Sequence, residues 1–411
     1  MYIFDNIVAG SGPSGLVVFS NLKKKSMLLT GETLKKVNSS NIHPKIKLEV
    51  DGKTNKISDL VNSKKNKFSI FSTANIGGLS NYWGAQFYNY NIDDIWPRKI
   101  FKKFKVYQKN LREIDLIYPA KKEGKIESLK YNKFFFNQVS PPILKKKIRF
   151  SNTVKNSKKI INDRVVNFLK IKKNLIKVNT EKNIYYCKKL ILCAGPIGNA
   201  FILLRSFNKI KYVTFKDHNP RLFFGLDFKK KKIFNSKKTE VTNFHIKKNK
   251  KLFAFCIFYK INPYHFNKHL RSIIKISKYF FSKFLFYGQI WFKDEYNEIK
   301  INQSNNIFFL SANNFNKNKF YNNFKEDFNK IKIKILKIVN LNFGYGYHYH
   351  CLKINLSNKI YPINKFIKKL KLQNEIFCFD SSIIDKIDLK PPTKTFMATS
   401  KFLVKNFLNK N

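Results

Sequence analysis

Arginine is scarce in this 411-residue chain: it supplies seven of the 81 basic residues, leaving 74 lysines. Acidic residues are few as well, 25 in all, so the formal net charge reaches +56 at pH 7. Such an excess invites a nucleic-acid reading. The shortage of Arg argues against it, because the bidentate guanidinium fork is what base and phosphate readers favour. No aromatic–Arg stacking pattern accompanies the lysines. Lys, Asn, Ile, Phe and Tyr are abundant together, and their codons are rich in A and T. Genome composition with solvated Lys-rich faces is the simpler account of the charge.

Cysteine is sparse too. Cys187, Cys193, Cys256, Cys351 and Cys378 are scattered, odd in number and free of any CxxC pair. That argues against a disulfide framework and against a zinc or other metal site, and fits a reducing compartment. Long apolar runs are missing: "LFAFCIFY" and "YFFSKFLFYG" are short and Lys-broken, below the ~20 residues that span a bilayer. The N-terminus enters a strand pattern almost at once and carries no signal-peptide design. The expectation is a soluble cytoplasmic protein without a membrane span. With 43% hydrophobic residues the chain can build a real core, as two domains or as one large domain with insertions.

Strand, glycine turn, helix, strand is the order at the start: "IFDNIVA" at 3–9, "GSGPSG", "LVVFSNLKKK", then "SMLLT". Residues 35–67 read as a surface excursion, and 97–160 are basic and weakly patterned. From 161 the pattern is short strands, ending in "KLILCAGP" and a helix-like run. Residues 252–261 predict a strand, 263–287 an amphipathic helix, 297–312 a hairpin, and 318–340 a helix carrying Phe320, Phe324, Phe328, Ile331 and Ile335 at helical spacing.

Gly10, Gly12 and Gly15 form G-x-G-x-x-G, with Pro13 and Ser14 inside it. The first glycine allows a tight turn, the second lets the backbone approach a pyrophosphate, and the third lets helix and strand pack closely. The anion then sits at a helix N-terminus, where N–H groups and the dipole favour it. A preceding strand and a following helix support a dinucleotide-binding turn over a plain glycine turn. An acidic residue about 20 positions on would bind a ribose hydroxyl; Glu32 is near that distance, while Thr30 is closer to the strand end.

Five separated blocks carry a resemblance. "FDNIVAGSGPSG", "IGGLSNYWGA", "CKKLILCAGPIGNAFILLRS", "DHNP" and "FCFDSSIIDKIDLKPPTKTFMA" occur in the order found in the glucose–methanol–choline (GMC) oxidoreductases. That family comprises FAD enzymes that oxidise alcohols, and this chain resembles its sugar- and polyol-oxidising branches. The resemblance implies an α/β fold, α+β overall. A two-dinucleotide-fold FAD-binding domain would be joined to a mostly antiparallel-sheet substrate domain. It also implies a discontinuous layout: FAD-binding segments at 1–100, 161–225 and 341–411, a lid or insertion at 101–160, and a substrate-binding domain at 226–340. Cofactor contacts would come from the glycine turn and from Gly77, Gly78 and Ser80, Ala194 and Gly195, Asp380 and Ser381, and Pro392 and Thr393. Trp83 has two readings, packing on the cofactor or in the core. Asp380 likewise stands as a cofactor contact or a strand-end cap.

"GYGYHYHC" at 344–351 holds two of the seven histidines. Histidine is the side chain most ready to move protons near neutral pH. The family's Tyr/Asn-His-x-x-Gly pattern aligns best with His348, implying a base that takes the hydroxyl proton as hydride leaves carbon. His350 is the alternative base, a cofactor-holding group or a partner of His348, and a structural role for both stays open. His218 in "DHNP" reads as structural. His43, His245, His265 and His269 show no metal spacing and read as surface residues.

Three departures from the family stand out. Cys351 replaces a Gly. Pro391 stands where the family has a His or Asn, and proline offers no donor. The chain is also short for the family. These motivate a rival in which the fold keeps FAD or a nucleotide without turnover; basic nucleic-acid binding, with its steep salt dependence, is the remote third. The leading expectation is an FAD oxidoreductase for a small alcohol or carbohydrate, with an unspecified electron acceptor.

Overall fold

The computed structural model describes residues 2–22, 25–31, 70, 76–82, 86–131, 134–144, 159–226, 241–249, 251–260, 285–293, 295–304, 307–315, 321–330, 333–341 and 343–408. The first element is β1 (Ile3–Ala9), followed by α1 (Pro13–Ser20) and β2 (Ser26–Thr30). Pro13 at the first helical position costs nothing, because that N–H would have no intrahelical partner. After an amphipathic helix α2 (Phe104–Ile117) come β3 (Gly124–Tyr131), β4 (Phe134–Ser140), β5 (Ile160–Asn162), β6 (Val165–Lys172), β7 (Leu175–Thr180) and β8 (Ile184–Leu192). Helix α3 (Gly195–Ser206) leads into β9 (Ile210–His218), β10 (Arg221–Leu226), β11 (Val241–Lys248), β12 (Lys251–Lys260) and β13 (Leu285–Phe292). The hairpin β14 (Tyr296–Ser304) and β15 (Ile307–Phe315) precedes α4 (Tyr321–Lys330) and β16 (Lys334–Asn340). The chain ends with β17 (His350–Leu356), β18 (Lys359–Pro362), α5 (Ile363–Lys369), β19 (Ile376–Cys378) and α6 (Thr393–Phe407).

The described residues form three sheets. In the first, the order is β5-β2-β1-β8-β7-β6, with β19 also on β8. β5, β2, β1, β8 and β19 run parallel; β7 and β6 are antiparallel additions. Alternation sorts its strands onto two faces. Ile7, Ala9, Leu190 and Leu192 join one core with Ala200 and Leu203 of α3. Val8 and Ile191 join the other with Val17 of α1 and Met397, Ala398 and Val404 of α6. This is an α/β architecture with helices on both faces of the parallel strands.

The second sheet, β16-β10-β13-β12-β11-β4-β3, and the third, β15-β14-β9-β17-β18, are antiparallel throughout. Phe dominates the core against the second sheet. Phe136, Phe223, Phe244, Phe258, Phe286 and Phe328 form one buried cluster, each side chain contributing roughly 1.5–3 kcal/mol by leaving water. Hairpin β3–β4, within the stretch expected as a lid or insertion, pairs into this sheet. The stretch 226–340 supplies strands to both antiparallel sheets.

Two helix expectations are corrected. The 318–340 helix stops at Lys330, and Ile335 belongs to β16, paired antiparallel with β10. The i, i+4 spacing of Ile331 and Ile335 suited a helix, but the β-branched run after Lys334 pairs with an available sheet edge. Residues 285–287 of the expected 263–287 helix open β13 instead, an aromatic run that fits a sheet between β10 and β12; residues 263–284 lie outside the described residues. So does 35–67. His245 is also corrected: it is buried, its ring beside Tyr88 and Phe255. Its β11 neighbours Phe244 and Ile246 fill the core on one face of the sheet, and alternation turns His245 onto the opposite face, which is covered as well. His43, His265 and His269 lie outside the described residues. Among the described residues no helix is long and apolar enough to cross a membrane, and no cluster of His, Cys, Asp or Glu is arranged to hold a metal.

Candidate active site

The carboxyl ends of β1, β8 and β19 lie abreast: Ala9 pairs with Leu192, and Leu192 with Cys378. The segments that follow them, Gly10–Gly15, Cys193–Gly195 and Phe379–Ser382, therefore share one edge of the sheet, where open α/β sheets bind ligands. Gly10 has φ +101°, and a Cβ there would lie 2.5 Å from the Ala194 Cα. A Cβ on Gly15 would lie 1.9 Å from the Gly10 carbonyl oxygen. Both glycines are demanded by packing. Gly12 is different: among the described residues, no atom beyond its own chain neighbours lies within 4 Å of its Cβ position.

Gly12 caps α1 with no side-chain hydrogen bond, and the first turn holds no acidic residue. The helix thus begins without a side-chain cap and without an acidic residue to offset the positive end of its dipole. A second glycine segment closes on this turn. The Gly77 N–H donates to the Ser11 carbonyl at 2.7 Å, and Gly78 lies over Gly12. Ser80 is buried and its hydroxyl donates to the Gly77 carbonyl. Pro13 and Ser14 lie in the first turn of α1. Thr30 is tied to Ser11 through their hydroxyls, 2.6 Å apart, whereas Glu32 and Trp83 lie outside the described residues.

Asp380 knits the edge together. One of its carboxylate oxygens accepts the Gly195 N–H at 2.7 Å and the Asn199 amide at 2.9 Å; the other accepts the Ser382 N–H at 2.8 Å. Burial pushes its pKa up and these donors oppose the shift. Both oxygens are occupied by protein partners, so Asp380 fixes α3 and Ala194–Gly195 against the Ser381–Ile383 turn. Ser381 is buried beside it. Pro392 and Thr393 begin α6, another helix without a side-chain cap or an acidic first turn.

The histidines meet around a bend held by Asp217. The Gly346 and His348 N–H groups donate to its two oxygens, at 2.8 and 3.0 Å. Full burial of this carboxylate pushes its pKa up to about 7. A Cβ on Gly346 would lie 2.4 Å from the His218 carbonyl oxygen, so only glycine lets the loop come this close. The Nδ1 atoms of His218 and His348 are 3.0 Å apart. His350 Nδ1 lies 2.9 Å from the His348 carbonyl oxygen, and the Trp291 ring stacks near His348 with centroids 6.3 Å apart.

Burial brings His348 down to about 3 and His350 to about 4, and holds His218 well below its ordinary value. All three rings are neutral at pH 7. Cys351 has φ +57° within a bulge of β17. It adopts the left-handed backbone that a glycine would favour. The Cys351 thiol donates to Asp385 at 3.6 Å, joining the histidine strand to the segment after Ser381. The sequence expectation thus brings His348 and His350 together. It passed over the involvement of His218, Asp217 and Trp291; the "DHNP" block was the available signal for the first two, and Trp291 left none.

No family model matches the chain, and no curated protein does. Solved structures match its whole length. A formate oxidase from Aspergillus oryzae RIB40, studied for modification of its FAD, has 10% identity and a TM-score of 0.51, covering 99% of this chain and 98% of its own. NikD, an unusual amino acid oxidase of nikkomycin biosynthesis, has 8% identity and a TM-score of 0.40, covering 100% and 96%. Glycine oxidase from Bacillus cereus ATCC 14579 has 7% identity and a TM-score of 0.35, covering 99% and 96%. The likeness to the formate oxidase extends over both chains and establishes the fold.

Proposed function

We propose that the chain is an FAD-dependent oxidoreductase of the GMC type that oxidises a CH–OH group, with His348 as the base and a sugar or polyol as substrate. The observation that carries this reading is the joining of the open Gly12 turn and the neutral histidine bend through the segments that follow β8 and β19 and the start of β17. The whole-length likeness to an FAD-containing formate oxidase supports it.

The residues fit the cofactor. Gly12 leaves room for a pyrophosphate, and the uncapped start of α1 offers N–H donors to its oxygens. Gly77, Gly78, Ala194 and Gly195 border the same edge, and the uncapped start of α6 is a further set of donors. When bound, FAD supplies the hydride acceptor. His348, kept uncharged by burial, would take the hydroxyl proton on a ring nitrogen. The indole N–H of Trp291 is buried with no hydrogen-bond partner, on a ring stacked near His348. The segment layout stated above, with FAD contacts at 1–100, 161–225 and 341–411, is part of the proposal.

The first test is the visible absorption of purified protein before and after denaturation. An oxidised-flavin spectrum that releases free FAD supports the reading; a colourless protein that cannot be loaded with FAD overturns it. With flavin present, reduction by a panel of sugars and polyols under anaerobic conditions tests the CH–OH assignment, and retention of reduction in His348→Ala would remove His348 from its role.

A further inference from the structure

We propose that His218 is the positioning residue of His348: the His348 Nδ1–H donates to His218 Nδ1, which leaves His348 with a bare Nε2. The geometry starts from the 3.0 Å separation of the two Nδ1 atoms. At that distance two lone pairs would repel and two N–H groups would collide. One hydrogen therefore lies between the rings, and one of the two carries its single proton on Nδ1. The other presents an Nε2–H. The pair can offer one bare nitrogen and one N–H, never two of a kind while both rings are neutral.

The surroundings restrict the rings further. The His348 backbone is held at both ends: its N–H by Asp217 and its carbonyl by His350. A carbonyl only accepts, so His350 carries its proton on Nδ1 and its own Nε2 is bare. The His218 ring also packs edge-on against both other histidines, with centroids 5.1 Å from His348 and 6.2 Å from His350. His218 is almost wholly buried, at 5% exposure, at the end of β9. A rigid acceptor at this place fixes both the ring angle and the tautomer of its neighbour, as carboxylates do for many catalytic histidines. A neutral acceptor adds no negative charge to hold a proton on His348. The direction of the shared hydrogen rests on the reading of His348 as a base, because a base must present a lone pair.

The experiment is a long-range ¹H–¹⁵N correlation spectrum of protein labelled with ¹⁵N-histidine, at neutral pH, with signals assigned through His348→Gln and His350→Gln. The expected result is an Nδ1–H tautomer for His348, retained in His218→Asn, whose amide oxygen can still accept, and lost in His218→Leu. An Nε2–H tautomer for His348 in the unaltered protein overturns the proposal, as does an unchanged Nδ1–H signal in His218→Leu. If His218→Leu does not fold, the unaltered protein and His218→Asn decide alone: Nδ1–H in both supports the pairing, and Nε2–H in either overturns it. The spectrum reads the tautomer whether or not flavin is bound. Failure of the FAD reading, a colourless protein, is thereby distinguished from failure of the pairing.

Discussion

Gly78 stands over Gly12: a Cβ built on Gly78 would lie 3.2 Å from the Gly12 Cα, while a Cβ on Gly12 itself would meet nothing among the described residues beyond its chain neighbours. Two segments more than 60 residues apart thus frame a backbone that packing leaves open. Gly12 has φ −65°, so alanine fits its conformation without strain. Gly12→Ala is expected to melt within a few degrees of the parent and to hold FAD less well, because the methyl occupies the approach to the turn. Gly10→Ala and Gly15→Ala are expected to lose stability outright, since their methyl groups would run into backbone. Melting temperature and flavin-to-protein ratio, measured together, separate the two effects. A Gly12→Ala protein with full flavin content would remove this turn from the cofactor site.

The stretch that carries His218 is anchored by an ion pair. Arg221 and Glu295 are both buried, with Arg221 Nη2 3.0 Å from one carboxylate oxygen and 3.2 Å from the other. Removing one partner strands a buried charge, which costs roughly 3–5 kcal/mol. Glu295→Ala is expected to lower the urea midpoint by a corresponding amount. Replacing both, as Arg221→Met with Glu295→Leu, should cost less than Glu295→Ala alone. A double variant as unstable as the single one would show that the pair is not coupled in this way.

Cys351 holds a left-handed backbone at φ +57°. Non-glycine residues pay roughly 1–2 kcal/mol for that conformation, and glycine returns about 0.5 kcal/mol or more of this through its freer unfolded chain. Cys351→Gly and Cys351→Ala both lose the thiol contact with Asp385. The glycine variant is nevertheless expected to be the more stable of the two, by about 1 kcal/mol on these terms. Denaturation midpoints of the two variants, compared directly, check this; an alanine variant equal to the glycine one would mean that the strand relaxes.

Local signals were legible and distant partners were not. The turn at Gly10–Gly15 was readable because strand, glycines and helix lie within 20 residues. His348 and His350 stood out because they are two positions apart, but the ring that touches His348 comes from 130 residues away. Asp380 shows the same limit. Its cap on Gly195 spans 185 residues, so the sequence left cap and cofactor contact open. Residues 334–340 show the complementary failure. Their apolar spacing suits a helix, and the decision for a strand is made by β10, an edge that no local pattern reveals.

The carboxyl group of Asp217 ties the histidine bend to a pH dependence whose sign can be worked out. Burial raises its folded pKa to about 7, against about 3.9 in an unfolded chain. Between these values the folded protein keeps a proton that the unfolded chain releases. The contribution of this group to stability therefore falls as pH rises from about 4 to about 7, and is level above that. His218, His348 and His350 act in the opposite sense. Their folded pKa values are lowered, so each costs stability below its unfolded value near 6.5, a cost that fades as pH rises. Comparison with Asp217→Asn cancels the histidine contribution to first order, since those rings are present in both proteins. The stability advantage of the parent over Asp217→Asn is expected to be larger at pH 5 than at pH 8, measured by urea denaturation at each pH. An advantage that is the same at pH 5 and pH 8 would mean that folded Asp217 is ionised throughout, held so by the Gly346 and His348 N–H groups against the cost of its burial.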